Sequence, residues 1–380
     1  MAFYKVAVIG AGQLARMMTP AAEALDIELR VLAQSQGECA TKVICNTAIG
    51  SPKSVSEVAQ ICDGADVLTF EHEHIGSDVL SHFGKKMSVQ PSASALLYAQ
   101  DKLALRRKLT ELGLPQPAWK ACHNNEDVAQ FLSDHGPEIV IKTPTGGYDG
   151  KGVKVIRAAE EIADWWQDRE VLLAEEKVPF TMEVAALLAR RPSGASESWP
   201  LVQTIQANGV CHTVIAPAPR ITEAVQEEAK KVSQTIAKEL GVTGVLAVEM
   251  FVSEENGKQR VLVNELAMRP HNSGHWTMDG ANISQFEQHL RAVLDLPLQP
   301  VKTLAPFTVM VNILGTEDGQ EPASRLAAVA SKCPNAKVHL YGKDVKPGRK
   351  LGHVNVIGND LKMIKAEAEE AVEILRGEKR

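Results

Sequence analysis

Two acidic residues, Glu249 and Glu265, each lie inside a run of alternating apolar residues, VLAVEMFV and RVLVNELA, with an Asn256-Gly257 turn signal between them. Position 257 is the midpoint of 249 and 265, so an odd-numbered loop centred there sets the carboxylates opposite each other on one face. Like charges so placed repel. A divalent cation between them removes that cost, and hard oxygen ligands suit Mg²⁺, with Mn²⁺ as an alternative, whose shell phosphate oxygens complete. A slip of one residue brings Asn264 opposite Glu249 instead, and two solvent-facing acids on an amphipathic hairpin are the plain alternative. The chain leaves this hairpin through Arg269-Pro270-His271-Asn272-Ser273-Gly274-His275-Trp276. Fixed donors of this kind can steady a developing anion, and His271 can carry a proton near neutrality. His275 and Trp276 read as packing residues.

A second group of residues suits phosphate. Lys142 ends the strand IVIK, and Gly146-Gly147-Tyr148-Asp149-Gly150-Lys151-Gly152 holds four glycines in seven residues. Backbone amides of such a loop can wrap around phosphates. It is no P-loop, because Lys151 is followed by Gly152 and a strand, VKVIR, rather than by Ser or Thr and a helix. A lid-like hairpin over a nucleotide is expected. A solvated hairpin is the alternative, but a lysine within a buried strand needs a partner. Gly10-Ala11-Gly12-Gln13-Leu14-Ala15 follows a strand and matches G-x-G-x-x-G/A. A dinucleotide site should carry Asp or Glu at the end of the next strand, and Gln34 stands there. The motif therefore speaks for the phosphate of another ligand or for a tight turn.

Weaker signals accompany these. Glu71-His72-Glu73-His74 ends a strand where α/β sheets bind ligands, so Glu71 or Glu73 could touch one. Glu175-Glu176-Lys177-Val178 follows an apolar run and could offer backbone groups to a base edge, or simply end a strand. Arg349-Lys350-Leu351-Gly352-His353 is a basic knot that could grip an anion, or an ordinary charged turn.

These side chains need elements to hold them. Strands at 4–10, 27–33 and 67–71, alternating with helical patterns at 11–25 and 54–61, imply parallel βαβ units and a doubly wound first domain over 1–100. A helix over 101–112 opens a small α/β domain, 101–181, that carries the glycine-rich loop. Residues 182–380 read as long β-hairpins, a helix over 222–240, a β-rich end piece over 301–357 and a C-terminal amphipathic helix.

Composition limits the rest. The 380 residues are 44% hydrophobic and 23% charged, ordinary for a globular chain of two or three domains. A net charge of −6 speaks against a nucleic-acid or anionic-membrane partner. No apolar run approaches the ~20 residues that span a bilayer, and the N-terminus shows no signal-peptide pattern. Six scattered cysteines without a C-x-x-C pair suggest reduced thiols in a cytoplasmic protein.

Four blocks in order, IGAGQLARM, KTPTGGYDGKG, NELAMRPHNSGHWT with SQFEQHLRA, and PGRKLGHVN, resemble the ATP-grasp family. Within it they look like the branch of ligases that make 5-(carboxyamino)imidazole ribonucleotide in purine biosynthesis. The resemblance spans essentially the whole chain. It implies an ATP-grasp fold behind a Rossmann-like domain, and ATP-dependent carboxylation of 5-aminoimidazole ribonucleotide by bicarbonate through carboxyphosphate, giving ADP and phosphate. By position it implies phosphate binding by Arg106, Lys142 and the loop Gly147, Tyr148, Asp149, Gly150, Lys151 and Gly152. Glu175, Glu176, Lys177 and Val178 would form an adenine hinge, and Glu183 would hold the ribose. Glu249 and Glu265 would bind Mg²⁺ beside Asn264. For the imidazole ribonucleotide it implies Tyr148, Asp149, Arg269, His271, Asn272, Ser273, Arg349 and Lys350, with Gln13, Leu14 and Glu73 from the first domain. The expected catalytic set is Asp149, Arg269, His271 and Lys350, with the proton handled by His271 or Asp149. Gln206 stands where the family often has His, which leaves one nucleotide contact open. The resemblance also implies a homodimer. The rivals are another ATP-grasp ligase, a formate-dependent ribonucleotide transformylase and a non-catalytic ATP-binding module.

Overall fold

The computed structural model describes residues 3–147, 152–207, 209–317 and 319–378. Among these, strands form three sheets. The first contains β1 (Tyr4–Ile9), β2 (Ile27–Ala33), β3 (Asn46–Ile49), β4 (Val67–Phe70) and β5 (Ser88–Val89), all parallel in the order β3-β2-β1-β4-β5. Helix α1 (Gln13–Ala24) packs on one face, and α2 (Val55–Cys62) and α3 (Ser77–Gly84) on the other. Strand order reverses between β1 and β4, so the chain ends of these two strands open a crevice at their C-terminal edge. The run VLTFE is the fourth strand rather than the third. The third, NTAI, is four residues at the sheet edge and too short to show an alternation. The sequence reading likewise lacks β5, α3 and α4 (Ala93–Gln100), which occupy 77–100.

Helix α5 (Lys102–Glu111) is capped by Asp101, whose carboxylate accepts from the Leu103 and Ala104 amides. It leads to the second sheet, made of β6 (Trp119–Cys122), β7 (Ile139–Lys142), β8 (Val153–Ile156) and β9 (Leu172–Glu176) in the order β6-β9-β7-β8, backed by α6 (Asn125–His135).

The third sheet has nine strands. They are β10 (Phe180–Arg190), β11 (Ser196–Ser198), β12 (Val202–Ala207), β13 (Val210–Ala216), β14 (Gly244–Glu255), β15 (Lys258–Ala267), β16 (Phe307–Leu314), β17 (Lys337–Leu340) and β18 (Lys350–Gly358). The path runs β15-β14-β10-β12-β13-β16-β18-β17. The β-rich end piece is thus continuous with the hairpins through the β13–β16 pair. Helix α7 (Glu223–Glu239) covers one face, where Val248, Met250 and Val252 are buried. Helices α8 (Thr277–Gly280), α9 (Gln285–Val293), α10 (Leu326–Lys332) and α11 (Leu361–Arg376) complete the chain. Helix α9 packs on α1 and joins the third sheet to the first. There His289 receives the Val245 amide on Nδ1 at 3.1 Å and meets Thr69 Oγ1 at 3.2 Å.

Candidate active site

The turn between β14 and β15 has two residues, Asn256 and Gly257, both with positive φ (51° and 74°). An even loop of this kind pairs Met250 with Val263 and, continued, would bring Asn264 opposite Glu249. A bulge at Asn264 intervenes, and Glu249 faces Glu265 across the ladder. The carboxylates are opposed as the sequence suggested, but through an even turn and a bulge rather than an odd loop.

The bulge is held from behind. Arg106, on α5 and 1% exposed, donates Nη1 to the Val263 carbonyl at 2.8 Å and Nη2 to the Asn264 carbonyl at 3.0 Å. Its Nε pairs with Glu175 at 2.6 Å. Glu175 also pairs with Lys142 Nζ at 2.8 Å, and Lys142 donates to Asn264 Oδ1 at 2.9 Å. Burial pushes the Glu175 carboxyl up, but Lys142 and Arg106 outweigh it and hold the group down at about 2. The Arg106 guanidinium is spent on the bulge and on Glu175, so it does not reach the cleft. The Glu175 side chain is an ion-pair partner, while the residue still lines the nucleotide cavity with Glu176, Lys177 and Val178.

Two cavities meet at the acids. The first, about 460 Å³, lies between the second and third sheets. Its roof carries Val140, Lys142, Val153 and Val155; Glu176, Lys177, Val178 and Phe180 run along the connection; its floor carries Glu183, Thr204, Gln206, Cys211 and Phe251. Val153, Val155 and Phe180 are at least 37% exposed, an apolar slot suited to a planar base. The sequence reading missed Val153, Val155, Phe180 and Phe251. The signal was available: VKVI puts valines on the strand face opposite buried Ile156, and an apolar strand with only one face packed calls for a ligand. Burial and the nearby Glu249 charge push the Glu183 carboxyl up, against the hydrogen bond it takes from Gln206.

The second cavity, about 570 Å³, opens toward the C-terminal edge of the first sheet and is lined by His72, Glu73, His74, Lys102, Gly147 and Arg269 among others. Glu249, Glu265 and His271 line both cavities, and Asn264, Asn272 and Lys350 line the first. Arg269 Nε lies 2.9 Å from Glu73. Lys102 stands 3.9 Å from Glu265, a neighbour the sequence reading did not include.

His271 Nε2 is 3.2 Å from Glu249 Oε1. Its Nδ1 accepts the Ser273 amide at 3.4 Å and meets Ser273 Oγ at 2.8 Å, so the ring proton belongs on Nε2, facing the carboxylate. Burial pushes the Glu249 carboxyl up, but the His271 hydrogen bond and the charges of His271, Arg269 and Lys350 bring it below its ordinary value. Asn272 exchanges amide hydrogen bonds with Asn312 at 3.0 and 2.8 Å.

The glycine motif has a different occupant from the one its pattern suggests. Glu71 is buried, and its carboxylate accepts from the Gly12 amide and, at 2.9 Å, from the Ala15 amide. The protein's own acid thus fills the anion seat at the start of α1. A Cβ at Gly10, where φ is 106°, would stand 2.6 Å from Glu71 Cγ, and one at Gly12 would stand 2.7 Å from Glu71 Oε1. The glycines admit Glu71 rather than a phosphate. Next to them Gln13 accepts from Lys343 Nζ at 2.6 Å, and Leu14 packs in the core with α9. Arg349 donates to the Asp344 carbonyl at 3.1 Å. Gln13, Leu14 and Arg349 line neither cavity. Tyr148, Asp149, Gly150 and Lys151 lie outside the described residues, and Gly152 closes the β7–β8 hairpin by accepting from Thr143 at 2.8 Å. Among the described residues no three of His, Cys, Asp or Glu converge as a metal cage, the alternating histidines 72 and 74 included.

Known proteins match the chain along nearly its whole length. Residues 3–100 match the ribonucleotide synthetase preATP-grasp domain, 107–286 the ATP-grasp domain, and 308–367 the phosphoribosylaminoimidazole carboxylase C-terminal domain. The N5-carboxyaminoimidazole ribonucleotide synthase of Mycobacterium bovis is 44% identical over 373 residues, covering 96% of this chain and 86% of that protein. A solved ADP complex of an N5-carboxyaminoimidazole ribonucleotide synthetase superposes with a TM-score of 0.89 at 32% identity, covering 99% of this chain and 98% of that one. The Aspergillus clavatus enzyme, solved with ADP and 5-aminoimidazole ribonucleotide, gives 0.87 at 29% identity, with 98% and 99% covered. With a bulge-set carboxylate pair between two cavities and relatives that match along nearly its whole length, the chain belongs to the N5-carboxyaminoimidazole ribonucleotide synthase family of ATP-grasp proteins.

Proposed function

We propose that this protein is an ATP-dependent carbon–nitrogen ligase that carboxylates 5-aminoimidazole ribonucleotide with bicarbonate in purine biosynthesis. The observation that carries the reading is the position of Glu249 and Glu265 at the common border of the two cavities. ATP would occupy the cavity between the second and third sheets, its base in the slot of Val153, Val155, Phe180 and Phe251 and its ribose near Glu183. The ribonucleotide would occupy the cavity beside the first sheet, with Glu73 and Arg269 in contact and Lys350 approaching from the nucleotide cavity.

Bicarbonate is a poor electrophile. Attack of its oxygen on the γ-phosphorus releases ADP and forms carboxyphosphate. Its breakdown yields CO₂ and phosphate, and the exocyclic amine takes up CO₂ and loses a proton. Lys142, steered by Glu175 and Asn264, would neutralise charge on the transferring group, and Arg269 would act from the other side. The opposed carboxylates form an oxygen donor set suited to Mg²⁺, which when bound would neutralise phosphate charge and orient the terminal phosphoryl group. The His271 Nε2 proton orients the Glu249 carboxylate. Release of the amine proton falls to His271 or to Asp149. We extend the proposal to a cytoplasmic homodimer, as the resemblance implies, with a mass of two chains in sedimentation as its check.

Glu265→Gln tests the central assignment. We expect turnover to vanish while the circular-dichroism spectrum and melting temperature stay close to those of the wild type. Retained activity with an unchanged Mg²⁺ requirement would overturn the assignment.

A further inference from the structure

We infer that Gln285 is a positioning residue for the reaction, acting through His271. Gln285 opens α9 and is fully buried at 0% exposure. Its side-chain amide grips the backbone of His271 from both sides: Oε1 accepts the His271 amide at 2.8 Å, and Nε2 donates to the His271 carbonyl at 2.8 Å. The second Nε2 hydrogen reaches His275 Nδ1 at 2.9 Å. Three bonds thus tie the loop to the helix start. The backbone repeats the link, since the Gln285 amide donates to Thr277 Oγ1 at 2.9 Å and that hydroxyl donates to the Gly274 carbonyl at 2.6 Å.

A two-point clamp fixes position and rotation together. Glutamine matches a peptide group in this respect, with one acceptor and one donor side by side. Asparagine is shorter by one methylene, glutamate has no donor and methionine offers neither group. Gly274 confirms how closely the amide is seated, for a Cβ there would lie 2.7 Å from Gln285 Cδ. With the backbone held, Ser273 sets the ring and Nε2 faces Glu249 across 3.2 Å. Gln285 touches neither cavity, so its effect has to pass through the histidine. This inference rests on the activity proposed above and on His271 serving it.

The test is a double-mutant cycle on ADP release stimulated by 5-aminoimidazole ribonucleotide, using Gln285→Met and His271→Ala. A substitution behind an orienting group commonly costs about 10- to 100-fold, and we expect a kcat loss of that order for Gln285→Met with KM for ATP changed by less than about threefold. In the His271→Ala background the same change should cost almost nothing further, because the path it acts through is gone. Multiplying losses in the double variant, or wild-type kcat in Gln285→Met, would overturn the inference. If Gln285→Met does not fold, Gln285→Glu gives the same reading, since it keeps the acceptor and loses both donors. Absence of stimulated ADP release in the wild type would instead overturn the proposed activity and leave the clamp as a packing feature, which ends the inference too.

Discussion

Glu175 is buried between two cations, Arg106 and Lys142, and its behaviour follows from that. Its carboxyl sits at about 2 in the folded protein against an ordinary value of 4.5. The folded value is the lower one, so the stabilisation is complete above pH 4.5 and fades as pH falls toward 2. Glu175→Gln should therefore be less stable than the wild type at neutral pH, and the gap should narrow as the pH approaches 2. Denaturant midpoints at pH 7 and pH 3 check this, and a gap that stays constant would contradict it. Lys350, on the floor of the nucleotide cavity yet near the loop, is expected to serve the imidazole substrate. Lys350→Ala should raise KM for the ribonucleotide about 10- to 100-fold and leave KM for ATP within about threefold, on the scale of a lost charge-assisted contact of about 1.5–3 kcal/mol. Equal changes in both constants would contradict that role. At this scale the sequence was readable where chemistry demanded a type: Lys142 in a buried strand, acids at alternating positions, a histidine beside them. Of Glu71 and Glu73 only Glu73 lines a cavity, because Glu71 fills the helix N-terminus from within, a contact 59 residues away that no local spacing reveals.

The β14–β15 hairpin shows what an element adds. Residue counting alone could not decide between Glu265 and Asn264, because a bulge alters the register without altering the composition of either strand. Arg106 supplies the missing determinant, gripping the Val263 and Asn264 carbonyls from another helix. Its removal would also take one of two cationic partners from buried Glu175, leaving only Lys142. Arg106→Met should destabilise the protein by about 3–5 kcal/mol, as loss of one partner of a buried pair does. Turnover of the protein that remains folded should fall as well, since the bulge loses its support. Chemical unfolding with parallel kinetics on the folded fraction checks both, and full turnover would show that the bulge stands without the arginine. The strand alternation and the turn signal were legible; the coupling between α5 and the bulge is tertiary and was not.

Across the whole molecule, three sheets are arranged so that two cavities share one wall of acids. Most of this order was legible, since parallel βαβ units, the glycine hairpin and the long antiparallel strands each carry their own periodicity. The joining of 301–357 to the large sheet was not, because edge pairing between β13 and β16 leaves no trace in either strand's pattern. We keep the division at 1–100, 101–181 and 182–380 as a proposal, which limited proteolysis would check by the fragments it yields. No helix among the described residues is long and apolar enough to cross a membrane. The arrangement makes one demand that no single residue makes: nucleotide cleavage and amine carboxylation have to be coupled through the shared wall. The direct measurement is ADP release in bicarbonate buffer with Mg²⁺, with and without 5-aminoimidazole ribonucleotide. Coupling through the shared wall requires strong stimulation by that ribonucleotide, with the carboxylated amine formed in step with ADP. Release stimulated by glycinamide ribonucleotide with formate, and indifferent to 5-aminoimidazole ribonucleotide, would contradict it.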